Sequence, residues 1–176
     1  MKLLLLGAGG REHALAWKIC KSSQLEKLYV SPGNAGTSEI AENIAMDIND
    51  FDAVGNFCVQ KKIDVLVVGP EQPLVKGIHD YFENNPKLKN VTVIGPKKEG
   101  AILEGSKDFA KKFMKKHRIP TAKSKSFNKQ QVIEALEYLE QKEGPYVLKA
   151  DGLAAGKGVL IIDKIAFSLE KIIKDH

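Results

Sequence analysis

The chain has 176 residues, enough for one domain and part of a second. Its apolar content of 43% permits a packed core, and its net charge of +5 is too small and too dispersed for a nucleic-acid-binding surface. Cys20 and Cys58 match no metal or disulfide pattern, so we expect a reducing compartment. The sequence contains no apolar run of membrane-spanning length and no full signal peptide. These features predict a cytoplasmic protein that binds small anionic molecules, with neither nucleic acid nor membrane as a partner.

The first part of the chain alternates apolar strands with helices. We predict strands at 2–6, 28–30, 43–45, 63–68 and 91–94, and helices at 11–21, 50–61 and 74–82. This order is typical of an α/β fold with a doubly wound parallel sheet.

After Pro96 the pattern changes. We predict a helix that begins at the N-cap Ser106 and ends near His117. A strand at 123–127, a helix at 128–142, a hairpin at 146–162 and a helix at 165–174 follow. The predicted domains are a Rossmann-like substrate-binding domain at 1–100, a linker helix region at 101–122 and the beginning of an α+β domain at 123–176.

Glycine- or proline-marked loops follow four of the predicted parallel strands, at 7–10, 31–37, 69–73 and 95–96. In an open parallel sheet the carboxyl ends of the strands share one edge, and ligands bind at that edge. The four loops therefore predict a ligand site, although ordinary strand-to-helix turns could carry the same residues.

The first loop resembles a dinucleotide-binding turn but departs from it. Gly7 and Gly9 match the first two glycines of G-x-G-x-x-G, whereas the third position is Glu12. This departure disfavours a nicotinamide cofactor and makes a dehydrogenase the last of the alternatives. A phosphate at the start of the first helix stays attractive, with Arg11 adding charge. Glu12 either meets a ligand hydroxyl or amine, or is a first-turn carboxylate that interacts with the helix dipole.

Two other side chains of this region are candidates. Glu71 lies between Pro70 and Pro73, which stiffen its loop, and could bind an amine or sugar hydroxyls. The alternative is a solvated loop acid. We expect His13 to pack against a helix and not to act as a catalyst.

The stretch from Tyr146 to Ile162 has a glycine-rich centre between two apolar strands. It is not a P-loop, because no Ser or Thr follows Gly156-Lys157 and no helix follows the loop. A hairpin tip of small residues can close over a polyphosphate with its backbone N–H groups, with Lys149 and Lys157 supplying charge. A plain glycine-rich turn is the alternative.

Taken together, several segments resemble the glycinamide ribonucleotide synthetase (phosphoribosylamine–glycine ligase) family of the ATP-grasp superfamily. They read GAGGREHAL, PGNAGT, VGPEQPLVKGI, GPKKEGAILEGSKDFAKKFM, IPTA and YVLKADGLAAGKGV, and they occur in the family's order. The resemblance implies that the first domain precedes an ATP-grasp domain, of which this chain contains the beginning.

The resemblance also implies a reaction. ATP phosphorylates the glycine carboxylate, and the amine of 5-phosphoribosylamine then displaces phosphate to form glycinamide ribonucleotide, the second step of de novo purine synthesis. ATP, glycine and 5-phosphoribosylamine are the implied substrates, with Mg²⁺ or Mn²⁺ as the metal.

Site residues carried over from the family fall into two groups. The ATP-binding residues would be Lys107, Lys149, Gly152, Leu153, Ala154, Ala155, Gly156, Lys157 and Gly158. The phosphoribosylamine-binding residues would be Gly9, Gly10, Arg11, Glu12, Asn34, Gly36 and Glu71.

Family members are more than twice as long as this chain. We therefore expect the catalytic residues and the metal ligands downstream of His176, no metal site within this chain and no catalysis by the chain alone. We expect a monomer at full length. The alternatives are another ATP-grasp carboxylate–amine ligase and a non-catalytic module that binds nucleotides or phosphoribosyl ligands.

Overall fold

The computed structural model describes residues 1–141, 144–153 and 158–162. It divides the chain into a first unit, Met1–Gly105, and a second unit that begins at Ser106. The helix predicted at 165–174 lies outside the described residues. The finer division into domains at 1–100, 101–122 and 123–176 stays a prediction.

The first unit contains a five-stranded sheet whose paired strands are all parallel. Its strands are β1 (Lys2–Gly7), β2 (Lys27–Pro32), β3 (Glu42–Asn43), β4 (Val65–Val68) and β5 (Thr92–Ile94). They are arranged in the order β3-β2-β1-β4-β5, with β1 paired to both β2 and β4. This is the order of a doubly wound, Rossmann-like sheet, and it confirms the predicted α/β class.

Six helices connect or follow these strands in the first unit. They are α1 (Gly10–Ile19), α2 (Ala35–Ser38), α3 (Phe51–Lys61), α4 (Glu71–Lys76), α5 (Ile78–Asn84) and α6 (Lys98–Gly105). α3 begins after Asp50, whose carboxylate accepts the backbone N–H of Ala53 at 2.9 Å and so satisfies one of the unpaired groups at the helix start.

The central strand β1 is buried on both faces, as its continuous apolar run predicts. Leu4 and Leu6 enter the core that contains Phe82, whereas Leu3 and Leu5 enter a second core that contains Ala16 of α1. Successive side chains of a strand point to opposite faces, so an unbroken leucine run supplies both cores. The sheet thereby fixes the loops that leave the carboxyl end of β1.

One expectation about the helices of this unit was wrong, and the helix α6 was not predicted. The helix predicted at 74–82 is two helices, α4 and α5, because Gly77 has a φ of +97° and ends the first of them. The sequence reasoning also missed α6, since Gly100 and Gly105 in that segment resemble the residues of a linker.

The second unit contains α7 (Lys107–Lys116), α8 (Val132–Glu140), β6 (Tyr146–Lys149) and β7 (Val159–Ile162). The predicted hairpin is confirmed, because β6 and β7 are antiparallel with Lys149 opposite Val159. The ladder extends by one further bond, from the Ala150 N–H to the Gly158 carbonyl at 2.8 Å. The hairpin thus brings the two ends of the glycine-rich stretch together.

The prediction of a strand at 123–127 was wrong, because this segment has irregular backbone. Its sequence, KSKSF, offers one large apolar side chain, Phe127, which is half-buried, whereas residues 123–126 are exposed. A strand requires a neighbour for its backbone groups, and in the described part of this unit β6 and β7 pair with each other.

Candidate functional site

The helix α1 begins at Gly10, three residues after the end of β1 at Gly7. Gly9 is the N-cap of α1 and has extended backbone, with φ of −85° and ψ of 175°. The Gly9 N–H donates to Oε2 of Glu12 at 2.8 Å, and the His13 N–H donates to the Gly9 carbonyl at 3.0 Å. A carboxylate in the first turn interacts favourably with the positive end of the helix dipole. The geometry therefore agrees with the first-turn alternative for Glu12.

Glu12 is 4% exposed, which is unusual for a carboxylate. Three glycines make room for it. A Cβ added to Gly7 or to Gly69 would lie 2.3 Å or 2.6 Å from Cγ of Glu12, and one added to Gly9 would lie 2.9 Å from its Oε2. Glu12, which stands at the third glycine position of the G-x-G-x-x-G pattern, therefore occupies space that side chains at positions 7, 9 and 69 would fill.

Arg11 joins the first loop to the loop after β4. Its Nε donates to Oε1 of Glu12 at 3.0 Å, and one terminal nitrogen donates to the Gly69 carbonyl at 2.8 Å. The same nitrogen lies 3.3 Å from Oε1 of Glu71. The hydrogen bond and the charge of Glu12, followed by the charge of Glu71, raise the pKa of the Arg11 guanidinium above its ordinary value. The Arg11 side chain stays 60% exposed at the carboxyl edge of the sheet.

Asn34 joins the loop after β2 to the first loop. Its side-chain oxygen accepts the Thr37 N–H at 3.0 Å and so caps α2. Its side-chain nitrogen donates to the Ala8 carbonyl at 2.9 Å. One side chain therefore fixes the distance between two neighbouring loops at the sheet edge.

Gly36 lies in the first turn of α2, against His13 of α1. A Cβ at position 36 would lie 2.1 Å from Cε1 of the imidazole. His13 is half-buried and packs against the neighbouring helix, as the sequence predicts. Gly36 thus permits the close approach of the two helices.

The structure brings the first group of predicted site residues to one edge of the sheet. Gly9, Gly10, Arg11 and Glu12 lie at the start of α1, Asn34 and Gly36 lie at the start of α2, and Glu71 is the first residue of α4. The loop after β5 is held differently, because the Gly95 carbonyl is 2.6 Å from Nδ1 of His79.

The second group centres on the start of α7. Nζ of Lys107 donates to the Gly152 carbonyl at 2.6 Å, so this predicted ATP-binding lysine contacts the predicted phosphate-binding loop. Lys149 is exposed on β6, next to the loop. Gly152 has a φ of +87° and open space where a side chain would lie, and Leu153 is 44% exposed.

Only part of the predicted phosphate-binding loop can be placed. Ala154, Ala155, Gly156 and Lys157 lie outside the described residues. Gly158, the first described residue after them, is half-buried, and its carbonyl accepts the Ala150 N–H.

Sequence reasoning missed Asp151. Its carboxylate accepts the hydroxyl of Ser106 at 2.9 Å, the N–H of Lys107 at 2.6 Å and the N–H of Asp108 at 3.3 Å. Partial burial raises the pKa of Asp151, but the hydrogen bond from Ser106 and those from backbone N–H groups lower it by more, so the pKa lies below its ordinary value. The Asp-Gly pair in the turn was the available signal, since Asp commonly binds nearby backbone there.

Two lysines of α7 have partners within the second unit. Nζ of Lys111 donates to the Thr121 hydroxyl and the Ala122 carbonyl, at 2.7 and 2.8 Å. Nζ of Lys112 lies 2.6 Å from the carboxylate of Asp108, one turn earlier. These contacts stabilise α7 and the segment that follows it.

The described residues contain neither a cluster of metal-ligand type nor a membrane-spanning helix. In residues 1–141, 144–153 and 158–162, no three His, Cys, Asp or Glu side chains are grouped as metal ligands would be. No helix within the same ranges is both long enough and apolar enough to cross a bilayer.

The first unit is an α/β protein of the doubly wound class, with an arginine and carboxylates at the carboxyl edge of its sheet. In the second unit a lysine contacts a glycine-rich hairpin. Comparison with family models is more specific. Residues 1–104 match phosphoribosylglycinamide synthetase, N domain, and residues 105–175 match the ATP-grasp (A) domain of the same synthetase. The chain belongs to the phosphoribosylglycinamide synthetase family.

Individual relatives agree with this assignment. A phosphoribosylamine–glycine ligase of Mesorhizobium japonicum is 52% identical over 161 residues, which are 92% of this chain and 36% of that protein. The crystal structure of the phosphoribosylamine–glycine ligase of Thermotoga maritima is 35% identical, with a TM-score of 0.68, and the match covers 97% of this chain and 38% of that one. The chain spans just over a third of the length of these relatives.

A more distant structure shows the fold alone. The biotin carboxylase domain of a Hydrogenobacter thermophilus 2-oxoglutarate carboxylase, solved with MgADP, is 18% identical with a TM-score of 0.71. The match covers 98% of this chain and 40% of that one.

Proposed function

We propose that this chain is part of an ATP-dependent ligase that joins glycine to 5-phosphoribosylamine and so forms glycinamide ribonucleotide in purine biosynthesis. The observation that carries the proposal is that the N domain and the ATP-grasp domain of one synthetase family match the chain in succession, from residue 1 to residue 175. The location of this enzyme in the cytoplasm and its monomeric state at full length belong to the same proposal.

In this proposal the edge of the first sheet binds 5-phosphoribosylamine. That substrate carries a phosphate, ribose hydroxyls and an amine. The start of α1 and the Arg11 guanidinium suit the phosphate, because backbone N–H groups and a planar cation both favour phosphate oxygens. Glu71 suits the hydroxyls or the amine, since an ionised carboxylate accepts hydrogen bonds. Asn34 and Gly36 keep the second loop close to the first.

The second unit would hold ATP. The half-buried ammonium of Lys107 lies against the beginning of the glycine-rich loop, and Lys149 is exposed beside it. Two lysines and a loop with few side chains fit a polyphosphate, because they supply positive charge and accessible backbone N–H groups. The loop residues 152–158 would cover the phosphates and exclude water from the reaction.

The proposed chemistry has two steps. The γ-phosphoryl group of ATP passes to a carboxylate oxygen of glycine, with cleavage of its bond to ADP. The amine nitrogen of phosphoribosylamine then forms a bond to the acyl carbon, the acyl–phosphate bond breaks, phosphate leaves and the amine loses a proton. A divalent cation would neutralise charge on the phosphates. The residues of this chain would bind and orient the substrates and exclude water from them.

The test uses the native protein that contains this sequence. Release of ADP and phosphate should require glycine together with phosphoribosylamine, formed in the assay from ribose 5-phosphate and ammonia. Lys107→Gln should abolish the activity, whereas the matched change Lys116→Gln, at the other end of α7, should preserve it. Turnover that requires bicarbonate and not glycine would overturn the proposal in favour of a carboxylase-type relative. ATP binding without turnover would favour a non-catalytic module.

A further inference from the structure

We infer that Glu12 is a positioning residue for the phosphoribosylamine site: it binds no ligand and acts by fixing Arg11 and the Gly9 N–H. This inference rests on the proposed function of the first unit and assigns one residue of that site a different role. It follows from where the two carboxylate oxygens lie and from what surrounds them.

Both oxygens of Glu12 already have partners. Oε2 accepts the Gly9 N–H at 2.8 Å, and Oε1 accepts Nε–H of Arg11 at 3.0 Å. The side chain is 6% exposed, and the backbone of Gly7 and Gly69 lies against it. Because the side chain is almost fully buried, a substrate hydroxyl or amine could reach the carboxylate only by displacing a group that packs against it.

Arg11 is more exposed than Glu12, and its contacts with Glu71 are long. Its Nε is directed toward the buried Glu12, whereas its terminal nitrogens lie 3.3 and 3.4 Å from the half-exposed Glu71. Hydrogen bonds weaken at such distances, and exposed ion pairs contribute little. A ligand phosphate could therefore replace Glu71 on the terminal nitrogens, while Glu12 and the Gly69 carbonyl, 2.8 Å from one of those nitrogens, keep the guanidinium in place.

The glycines at positions 7, 9 and 69 give Glu12 its single location. A Cβ added at any of these three positions would lie within 2.9 Å of the Glu12 side chain. The buried carboxylate therefore joins the end of β1, the start of α1 and the loop after β4 through one side chain. Preorganised donors bind a ligand more tightly, because the protein side chains lose less conformational entropy on binding.

The test uses ribose 5-phosphate, a stable probe that carries the phosphate and hydroxyls of the proposed substrate. The native protein that contains this sequence, labelled with ¹⁵N, is titrated with the probe, and NMR follows both affinity and the Nε–Hε signal of Arg11. Glu12→Gln removes the negative charge with little change in size. We expect it to weaken probe binding about tenfold, as the loss of a charge-assisted contact would. The Arg11 signal should move toward that of free arginine and exchange faster with water.

A double-mutant cycle separates positioning from direct contact. Because Glu12 acts on both Arg11 and the Gly9 N–H, Glu12→Gln should cause a smaller loss of affinity in the Arg11→Ala background than in the unaltered protein. Additive losses, or a Glu12→Gln variant with unchanged affinity and an unchanged Arg11 signal, would overturn the inference. The matched control is Glu26→Gln, which breaks the ion pair with Lys2 at the opposite edge of the sheet and should change neither readout.

Two further outcomes keep the inference apart from the proposed function. Gly9→Ala retains the backbone N–H but pushes Oε2 away, so it should weaken binding as well, and it replaces Glu12→Gln if that variant does not fold. Failure of the unaltered protein to bind the probe would overturn the proposed function of this edge and, with it, the role of Glu12. Binding without dependence on Glu12 would overturn the positioning role alone.

Discussion

The carboxylate of Asp151 accepts the backbone N–H of Lys107 at 2.6 Å, although 44 residues separate them along the chain. The side chain of Lys107 in turn donates to the Gly152 carbonyl at 2.6 Å. Both the backbone and the side chain of Lys107 therefore bind the start of the glycine-rich loop. An acceptor at the first turn of a helix satisfies N–H groups that have no partner within the helix.

We expect Asp151→Asn to loosen the start of α7. The amide oxygen can accept one of these hydrogen bonds, but the charge that favours the positive end of the helix is lost, at a cost of about 1 kcal/mol. Hydrogen exchange at the Lys107 and Asp108 amides should become faster. Glu137→Gln, an exposed change on α8, is the control and should leave both rates unchanged. Equal protection in both variants would contradict the capping role.

The stabilisation by Asp151 should depend on pH. Although burial opposes ionisation, hydrogen bonds hold the pKa of Asp151 below its ordinary value of 3.8. A lowered native pKa means that the contribution is fully present above the ordinary value and is lost as the pH falls through the native pKa. Urea unfolding of the chain and of Asp151→Asn should give free energies that differ at pH 7 and converge below pH of about 4. A difference that stays constant would contradict this assignment.

Local patterns in the sequence predicted most of the first unit. The leucine run of β1, the apolar runs of β2 and β4 and the glycine-marked loops each contain their own signal, and parallel pairing then brings the loops to one edge. The Ser106 cap of α7 was likewise confirmed by its hydrogen bond with the Phe109 N–H at 3.1 Å. Each of these features depends on residues that are close in the sequence.

What the sequence did not predict depends on distant contacts or on one dihedral angle. The burial of Glu12 needs Gly69, and the cap by Asp151 needs a hairpin that begins 39 residues after α7 starts, at Tyr146. The break at Gly77 follows from a positive φ that periodicity does not reveal. The failed strand at 123–127 shows that an extended segment becomes a strand only when another strand can pair with it.

Cys58 should resist alkylation in the folded chain. Burial raises the pKa of its thiol to about 12, and the residue is 1% exposed. Burial also raises the pKa of Cys20, but that residue is half-buried, so we expect iodoacetamide at pH 8 to modify Cys20 first. Mass spectrometry of the native and urea-unfolded chain measures both sites. Faster modification of Cys58 in the native chain would place this thiol at the surface.

The same thiol predicts a loss of stability in alkali. The native pKa of Cys58 lies above the ordinary value of 9.0, so its contribution is fully present below 9.0 and is lost as the pH rises toward 12. Cys58→Ala should reduce the dependence of the unfolding free energy on pH between 9 and 11. Cys20→Ala is the matched control and should reduce it less.

Gly77→Ala should destabilise the first unit through the backbone alone. Its φ of +97° disfavours a side chain by about 1–2 kcal/mol, whereas the added Cβ would come no closer than 3.5 Å to another residue. Gly100→Ala is the opposite case, because Gly100 lies within α6 and its added Cβ would be 3.4 Å from Pro96. That variant should be more stable by up to about 1 kcal/mol. Urea unfolding measures both, and changes of the same sign would contradict the argument.

Gly36→Ala should destabilise the contact between α1 and α2. The new methyl group would lie 2.1 Å from the His13 ring, so the ring or the helix must move, at a cost of about 1–3 kcal/mol. In the His13→Ala background the clash disappears, and Ala is then favoured over Gly in a helix. Gly36→Ala should therefore lower the unfolding free energy of the unaltered chain but leave that of His13→Ala unchanged or raised. Equal losses in both backgrounds would mean that position 36 needs glycine for a reason other than His13.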